Sequence, residues 1–441
     1  MSLLKRLFWV YFLLLIFEGA LRKWVLPQLS APLLLVRDPV ALAIIWEAYR
    51  THKWPKRWSA ITGILAAVLL GLCVVQMVAG DNPWFIALYG LRSYLLPLPV
   101  AFIMGENIDA EDLRKFGVCT LWLVMPLVAL SAAQYYAGPA SWLNAGAGKG
   151  AGQIGYSGGH VRASATFSFV TGPSNFIPLA AAFIFYGMVN SKFAKKWLLW
   201  GAAGAVILSV PIVGSRGMLV LLFEVLACVA VAAMFGISQL VGSMKVIGVL
   251  LVLFAIVSQL PVFSESMVTF EDRVSTADES QGGSANEVDR RIGGPIISAI
   301  ESVASSAQWY GNGMGLGSNA ASTLLTGTQQ FLAGEGEMDR IIIEFGPPLG
   351  VAFILFRSLL ALMIGAKAFS RVRDHQPLAW FLLPMVFNGL VWGIFEQPTS
   401  QGFMVVTLAF ALAALNRPDI PAEPMQVLNP RLGQGHYGLR A

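Results

Sequence analysis

The sequence predicts an all-α polytopic membrane protein, one bundle of about twelve spanning helices, from three observations. Hydrophobic residues make up 56% of the 441 residues and charged ones only 12%. Soluble domains carry about 25% charged residues, so this chain has too little polar material to cover a surface in water. The mean hydropathy is +0.66. Apolar runs continue for about twenty residues instead of alternating over about ten, which selects helices over a barrel. The basic residues gather in alternate short loops, as the positive-inside rule requires.

The spans read as 7–27, 32–49, 59–79, 84–104, 114–137, 169–190, 197–213, 217–236, 244–262, 340–365, 378–395 and 401–416. With the N-terminus placed in the cytoplasm, the inner loops hold Arg50, Lys53, Lys56 and Arg57, then Arg114 and Lys115. Further along they hold Lys192, Lys195 and Lys196, then Lys245, and last Lys367, Arg371 and Arg373. Every inner loop then carries a cation and both termini are cytoplasmic. The formal charge of +5 is explained by these anchors, which removes the argument for a nucleic-acid partner. Lys5 and Arg6 precede an apolar run with no small-residue cleavage site after it, so the first segment reads as retained. Residues 1–416 form a single transmembrane bundle. Residues 417–441, with Pro418, Pro421, Pro424 and Pro430, read as a disordered cytoplasmic tail. The three cysteines, Cys73, Cys119 and Cys228, fall within spans and read as small packing residues.

Two outward loops are long. The first, about 138–168, is rich in glycine and serine; the second, about 263–339, is the largest soluble piece. In the second, Ile292, Ile296, Ile300, Val303 and Ala307 recur at helical spacing. A loop of that length in a compact protein is functional or disordered, and its helix and glycine-rich turn favour function.

Cations on the outward side stand against the charge rule: Arg162, Arg216, Arg273, Arg290, Arg291 and Arg340. Arg216 lies in Gly214-Ser215-Arg216-Gly217, a hairpin between two spans at the membrane surface. Guanidinium matches phosphate oxygens with two parallel hydrogen bonds, so converging outward arginines suit a phosphate-bearing lipid or a lipid-linked sugar diphosphate. The competing reading is that each snorkels to a headgroup or pairs locally, Arg290 with Asp289 and Arg340 with Asp339. Glu335, Glu337, Asp339 and Glu344 cluster before the tenth span, and Arg340 and Glu344 share a helix face at i and i+4. They read either as a general base for transfer to an acceptor hydroxyl or as an interfacial ion-pair network. Other signals are decoys. Gly146-Ala147-Gly148-Lys149-Gly150 lacks the first glycine and the Ser/Thr of a phosphate loop. The four histidines are scattered, so no metal site is expected.

Four segments resemble the O-antigen ligase and polysaccharide polymerase family of bacterial inner-membrane glycosyltransferases. They are Arg162-Ala163-Ser164-Ala165-Thr166-Phe167, Gly214-Ser215-Arg216-Gly217, Arg290-Arg291 with the helix and the turn Tyr310 to Ser318, and Glu335 to Gly346. Glu18 to Trp24 and Arg37-Asp38-Pro39 are similar to segments of polymerase-like members. The resemblance implies a C-type, metal-independent glycosyltransferase with no cofactor, whose donor is a glycan on undecaprenyl diphosphate at the periplasmic face. It implies that Arg162, Arg216, Arg290, Arg291 and Arg340 hold the diphosphate. Arg216 would also stabilise the leaving group, Glu335 or Glu344 would activate or position the acceptor, and His160, Glu337 and Asp339 are assisting candidates. Members of the ligase type carry a histidine where Glu335 stands here. That difference favours a polymerase over a ligase acting on lipid A-core; a polysaccharide transporter or flippase is the other alternative. Implied partners are the lipid-linked glycan, membrane lipids, a flippase and a chain-length regulator.

Overall fold

In the computed structural model, the described residues are 2–80, 82–147, 156–157, 160–235, 294–305, 308–318 and 336–416. About four-fifths of them are helical. The chain runs through α1 (Leu3–Ala20), a π-helical turn (Leu21–Val25), α2 (Ser30–Leu33), α3 (Arg37–Arg50), α4 (Ser59–Ala79), α5 (Trp84–Leu95), α6 (Pro97–Asn107) and α7 (Ala110–Tyr136). A two-stranded antiparallel hairpin, β1 (Tyr156–Ser157) and β2 (His160–Val161), precedes α8 (Thr171–Val189), α9 (Lys196–Val213) and α10 (Arg216–Met234). Then come α11 (Gly294–Ser305), α12 (Glu337–Phe345), α13 (Pro347–Arg373), α14 (Leu378–Phe387), a second π-helical turn (Asn388–Trp392) and α15 (Pro398–Asn416).

Nine of the described helical segments are long and apolar enough to cross a membrane. Helix α1 and the shorter apolar segment Leu378–Trp392 run beside them. The span expected at 244–262, the inner cation Lys245 and the tail 417–441 lie outside the described residues. Leu42, Ile64, Val78, Phe223, Leu359 and Leu362 are exposed on the peripheral helices. In water such a surface would aggregate; in lipid it is the correct solvent-facing surface. Helices α8 and α15 form the centre, with 83% of their apolar windows buried against 33% for α4, α10 and α13. The rings of Trp9, Phe12, Phe116 and Phe410 pack together and tie α1, α7 and α15 into one core.

Chain alternation sorts the loops by charge. At one end Lys5 pairs with Asp109, Asn107 donates to the Lys53 carbonyl, and Arg371 donates to the Leu415 carbonyl. The described ones among the expected inner cations, from Arg50 to Arg373, lie at this end. At the other end the polar loops interlock. Trp24 donates to the Trp142 carbonyl, Asn82 to that of Met314, and Gln397 to the Thr171 hydroxyl.

Two expectations need correction. The span at 340–365 starts later, because α12 is a separate helix that ends at Gly346, whose φ of +80° breaks the run before Pro347. The span expected at 84–104 is present as the run Trp84–Asn107, in which α5 meets α6 at Leu96 with its backbone still α-helical (φ −78°, ψ −38°); Pro97 there has no N–H to continue the hydrogen-bond ladder. The spans are also less uniformly apolar than expected, since Arg357 lies inside α13 at 1% exposure.

Close packing of α1 depends on Gly19. A Cβ there would meet the Ser168 nitrogen at 2.1 Å and the Phe167 carbonyl carbon at 2.2 Å, whereas one at Gly63 on α4 would meet nothing within 4 Å. Gly19→Ala should therefore lower the thermal midpoint of the purified chain, at a cost of about 1–3 kcal/mol. Gly63→Ala should leave it unchanged or raise it by the equivalent of about 0.5–1 kcal/mol. Equal effects in the two variants would contradict this account of the packing.

Candidate functional site

The end of the bundle opposite Lys5 and Asp109 is built on the segment that follows β2. Ala165 takes a left-handed backbone (φ 48°), which costs energy for a residue with a Cβ. The amide of Gln134 on α7 holds it from both sides, accepting from Ala165 N at 2.8 Å and donating to the Ala165 carbonyl at 3.2 Å. Lys23 donates to that carbonyl and to the Ser164 hydroxyl, each at 2.8 Å. The Thr166 hydroxyl donates to the Ile16 carbonyl at 2.7 Å. The stretch Arg162 to Phe167 is thus a rigid crosspiece between α1 and α7.

This crosspiece brings Arg162 towards the Arg216 hairpin. Ala163 packs with Tyr135 and with Ile212 near the end of α9. Gly214 closes α9 in the left-handed conformation (φ 56°), and Ser215 caps α10 by accepting from Met218 N at 3.3 Å. Ser174 on α8 donates to the same Ser215 oxygen at 2.8 Å. Arg216 is the first residue of α10, where the helix dipole adds positive potential. Arg162 is half-buried, and its Nε is buried without an acceptor. His160 stacks on Tyr135 with ring centroids 4.2 Å apart, and its Nδ1 lies 3.0 Å from the Tyr135 carbonyl oxygen. Its ring is held against α7.

Helix α12 carries a second polar knot. Glu337 accepts from Arg357 on α13 at 2.7 Å and from Phe395 N at 3.2 Å. Arg357 also donates to the carbonyls of Leu390 and Gly393, which the π turn after α14 presents, and lies 3.9 Å from the centroid of the Phe395 ring. Arg340 pairs with Glu337 at 4.0 Å, and not with Asp339 as the local alternative had it. Its side chain lies flat on Gly317, where a Cβ would come within 2.7 Å. Glu344 accepts from Tyr94 Oη at 2.9 Å and from Gly317 N at 2.7 Å, so it holds the glycine-rich turn 311–318 against α5. Gln76 on α4 fastens the other side of that turn, donating to the carbonyls of Tyr310 and Glu344 and accepting from Met314 N. Asp339 is buried beside Gly336 at the helix start, with one carboxyl oxygen unpartnered.

Several participants were missed in the sequence. Glu396, in the turn before α15, is 5% exposed, and neither of its carboxyl oxygens has a hydrogen-bond donor. It stands among Glu344, Glu337 and Arg340. Arg357 was overlooked as a lone charge in a long apolar run; an arginine within a span is itself the signal. The N-terminal charges form a third knot. Glu18 accepts from Arg22 at 3.4 Å and from Arg37 at 3.1 Å, Arg37 also donates to the Pro398 carbonyl, and Asp38 pairs with Arg92 at 2.7 Å. Glu18 and Arg22 at i and i+4 inside an apolar segment could have marked it.

Arg273, Arg290, Arg291 and Glu335 lie outside the described residues. Among the described residues no group of three His, Cys, Asp or Glu side chains is placed to hold a metal ion. No protein-family model matches the sequence, and no curated protein matches it.

Removing one partner from the buried Arg357–Glu337 pair strands the other, at a cost of about 3–5 kcal/mol. Arg357→Met should therefore sharply lower the thermal midpoint in detergent, and adding Glu337→Gln should recover part of the loss. Additive losses in the double variant would show that the two side chains are energetically independent.

Proposed function

We propose that this chain is a polymerase of undecaprenyl-diphosphate-linked polysaccharide repeat units, acting at the periplasmic face of a bacterial inner membrane. In this reading it has twelve spans, both termini are cytoplasmic, and the interlocked polar end faces the periplasm. The observation that supports the proposal is the packing of Ala163, next to Arg162, against Ile212 on the last turn of α9, two residues before the hairpin that holds Arg216. Arg162 also has a buried Nε without an acceptor. A diphosphate supplies the acceptor oxygens that such a group lacks.

The reaction is a displacement at the sugar carbon bonded to the diphosphate. An acceptor hydroxyl on a second lipid-linked unit forms the new glycosidic bond. The bond to the diphosphate oxygen breaks, and that oxygen leaves with the electron pair. Arg162, Arg216, Arg290 and Arg291 hold the diphosphate and neutralise the charge that develops on it. Glu335 takes the proton from the acceptor hydroxyl. Glu344 serves by position, because both its oxygens are already occupied with Tyr94 and the glycine-rich turn. Arg340, paired to Glu337 and lying on Gly317, fixes the same turn. The resemblance to the polymerase family and the carboxylate at the place of the ligase histidine support polymerisation over transfer to lipid A-core.

Arg162→Ala and Arg216→Ala, reconstituted with an undecaprenyl-diphosphate-linked repeat unit, should each reduce polymer formation by about 10²–10³-fold. Their thermal midpoints should stay near that of the parent chain. Long polymer made at the parental rate by Arg216→Ala would overturn the proposal.

A further inference from the structure

The end of the bundle away from the candidate site holds a cavity of about 360 Å³ between α13, α15 and the short 3-10 turn Lys56–Trp58. Its polar lining consists chiefly of donors. Arg57, Lys367 and Arg371 contribute three cations, and among the described residues no carboxylate lines it. Two further donors are buried without acceptors, Trp58 Nε1 and Asn416 Nδ2, and both residues line the same cavity. Trp58 is 2% exposed, stacked on Phe102 with ring centroids 4.3 Å apart, so its indole cannot swing out to find a partner cheaply. Arg371 is fixed by donating to the Leu415 carbonyl at 2.9 Å and to the Gln376 side-chain oxygen at 3.3 Å. Three cations and two orphaned donors around one space call for an anion with several acceptor oxygens.

The cavity wall identifies the anion's carrier. Ile364, Leu412 and Leu415 form an apolar side, and Met363 opens it to the bundle surface. From there Met363, Leu359 and Leu355 descend α13 at intervals of four, one above another on a single helix face. Leu355 and Leu359 are 56% and 63% exposed, so this row is open along its length. A phosphate held by the cations would place an attached acyl chain on that row. A soluble phosphate has no use for it.

We infer that this cavity is a binding site for the headgroup of an anionic phospholipid from the leaflet at this end, with one acyl chain lying along Met363, Leu359 and Leu355. Basic pockets between helices at a membrane surface recognise phosphate-bearing headgroups by this combination of charge and apolar track. The site is separate from the Arg162–Arg216 mouth and does not depend on the polymerase reading.

The test is native mass spectrometry of the full chain in detergent, with phosphatidylglycerol and phosphatidylcholine offered together. The parent should retain phosphatidylglycerol about tenfold more tightly. The double variant Arg57→Gln with Lys367→Gln should lose that preference, and Lys367→Arg should keep it. Ser370→Asp, which adds a carboxylate at an exposed rim position, provides a second route to the same loss with little risk to folding. Equal retention of the two lipids by the parent would overturn the inference, as would an undiminished preference in Ser370→Asp. Displacement of phosphatidylglycerol by inorganic phosphate alone would overturn the lipid assignment. Selective binding that appears only when the chain is cut after Asn416 would assign the cavity to the segment that follows.

Discussion

A guanidinium inside an apolar helix is the constraint around which the half of this bundle holding the polar knots is arranged. Arg357 lies about 15 Å along α13 from its start, given a rise of about 1.5 Å per residue, too deep for water to solvate it. Its charge is met by Glu337, its remaining donors by two carbonyls of the π turn, and its face by Phe395. Each answer fixes another element. Glu337 sets the position of α12, α12 sets Glu344, and Glu344 with Gln76 sets the glycine-rich turn. Both carbonyls lie at the C-terminal end of the π turn, where a helix leaves its last acceptors without backbone donors.

The N-terminal knot meets this one at the head of α15. Arg37 reaches the Pro398 carbonyl, while Gln401 donates to the carbonyls of Ser93 and Phe395. Charges on α1, α3, α12 and α13 therefore converge on one short turn, residues 393–398. The opposite end has fewer cross-links, among them Lys5 with Asp109, Asn107 with the Lys53 carbonyl and Arg371 with the Leu415 carbonyl.

Much of this was legible in the sequence. Long apolar runs marked the helices, and alternating cations sorted the loops onto two ends. The Gly214–Gly217 hairpin and the amphipathic helix at 294–305 lie where their residues implied. Partners distant in sequence were not legible. Arg357 reads as an interruption of a hydrophobic run until Glu337, twenty positions earlier, and Gly393, thirty-six later, are seen beside it. Glu396 sits in a five-residue turn with no periodicity to weigh. The break at Gly346-Pro347-Pro348 was visible, because a glycine before two prolines is a stop signal, yet hydropathy alone ran straight through it.

The central position of α15 bears on how the protein is made. It is the last described helix in chain order, yet it is buried on nearly every side. Chains are inserted from the N-terminus as they emerge from the ribosome. The earlier helices must therefore enter the membrane around a space that their own axis will fill only later. Until then the inner faces of α6, α8 and α14 have no partner but lipid or one another. A premature stop a few residues before Pro398 would thus remove the middle of the molecule and not its edge.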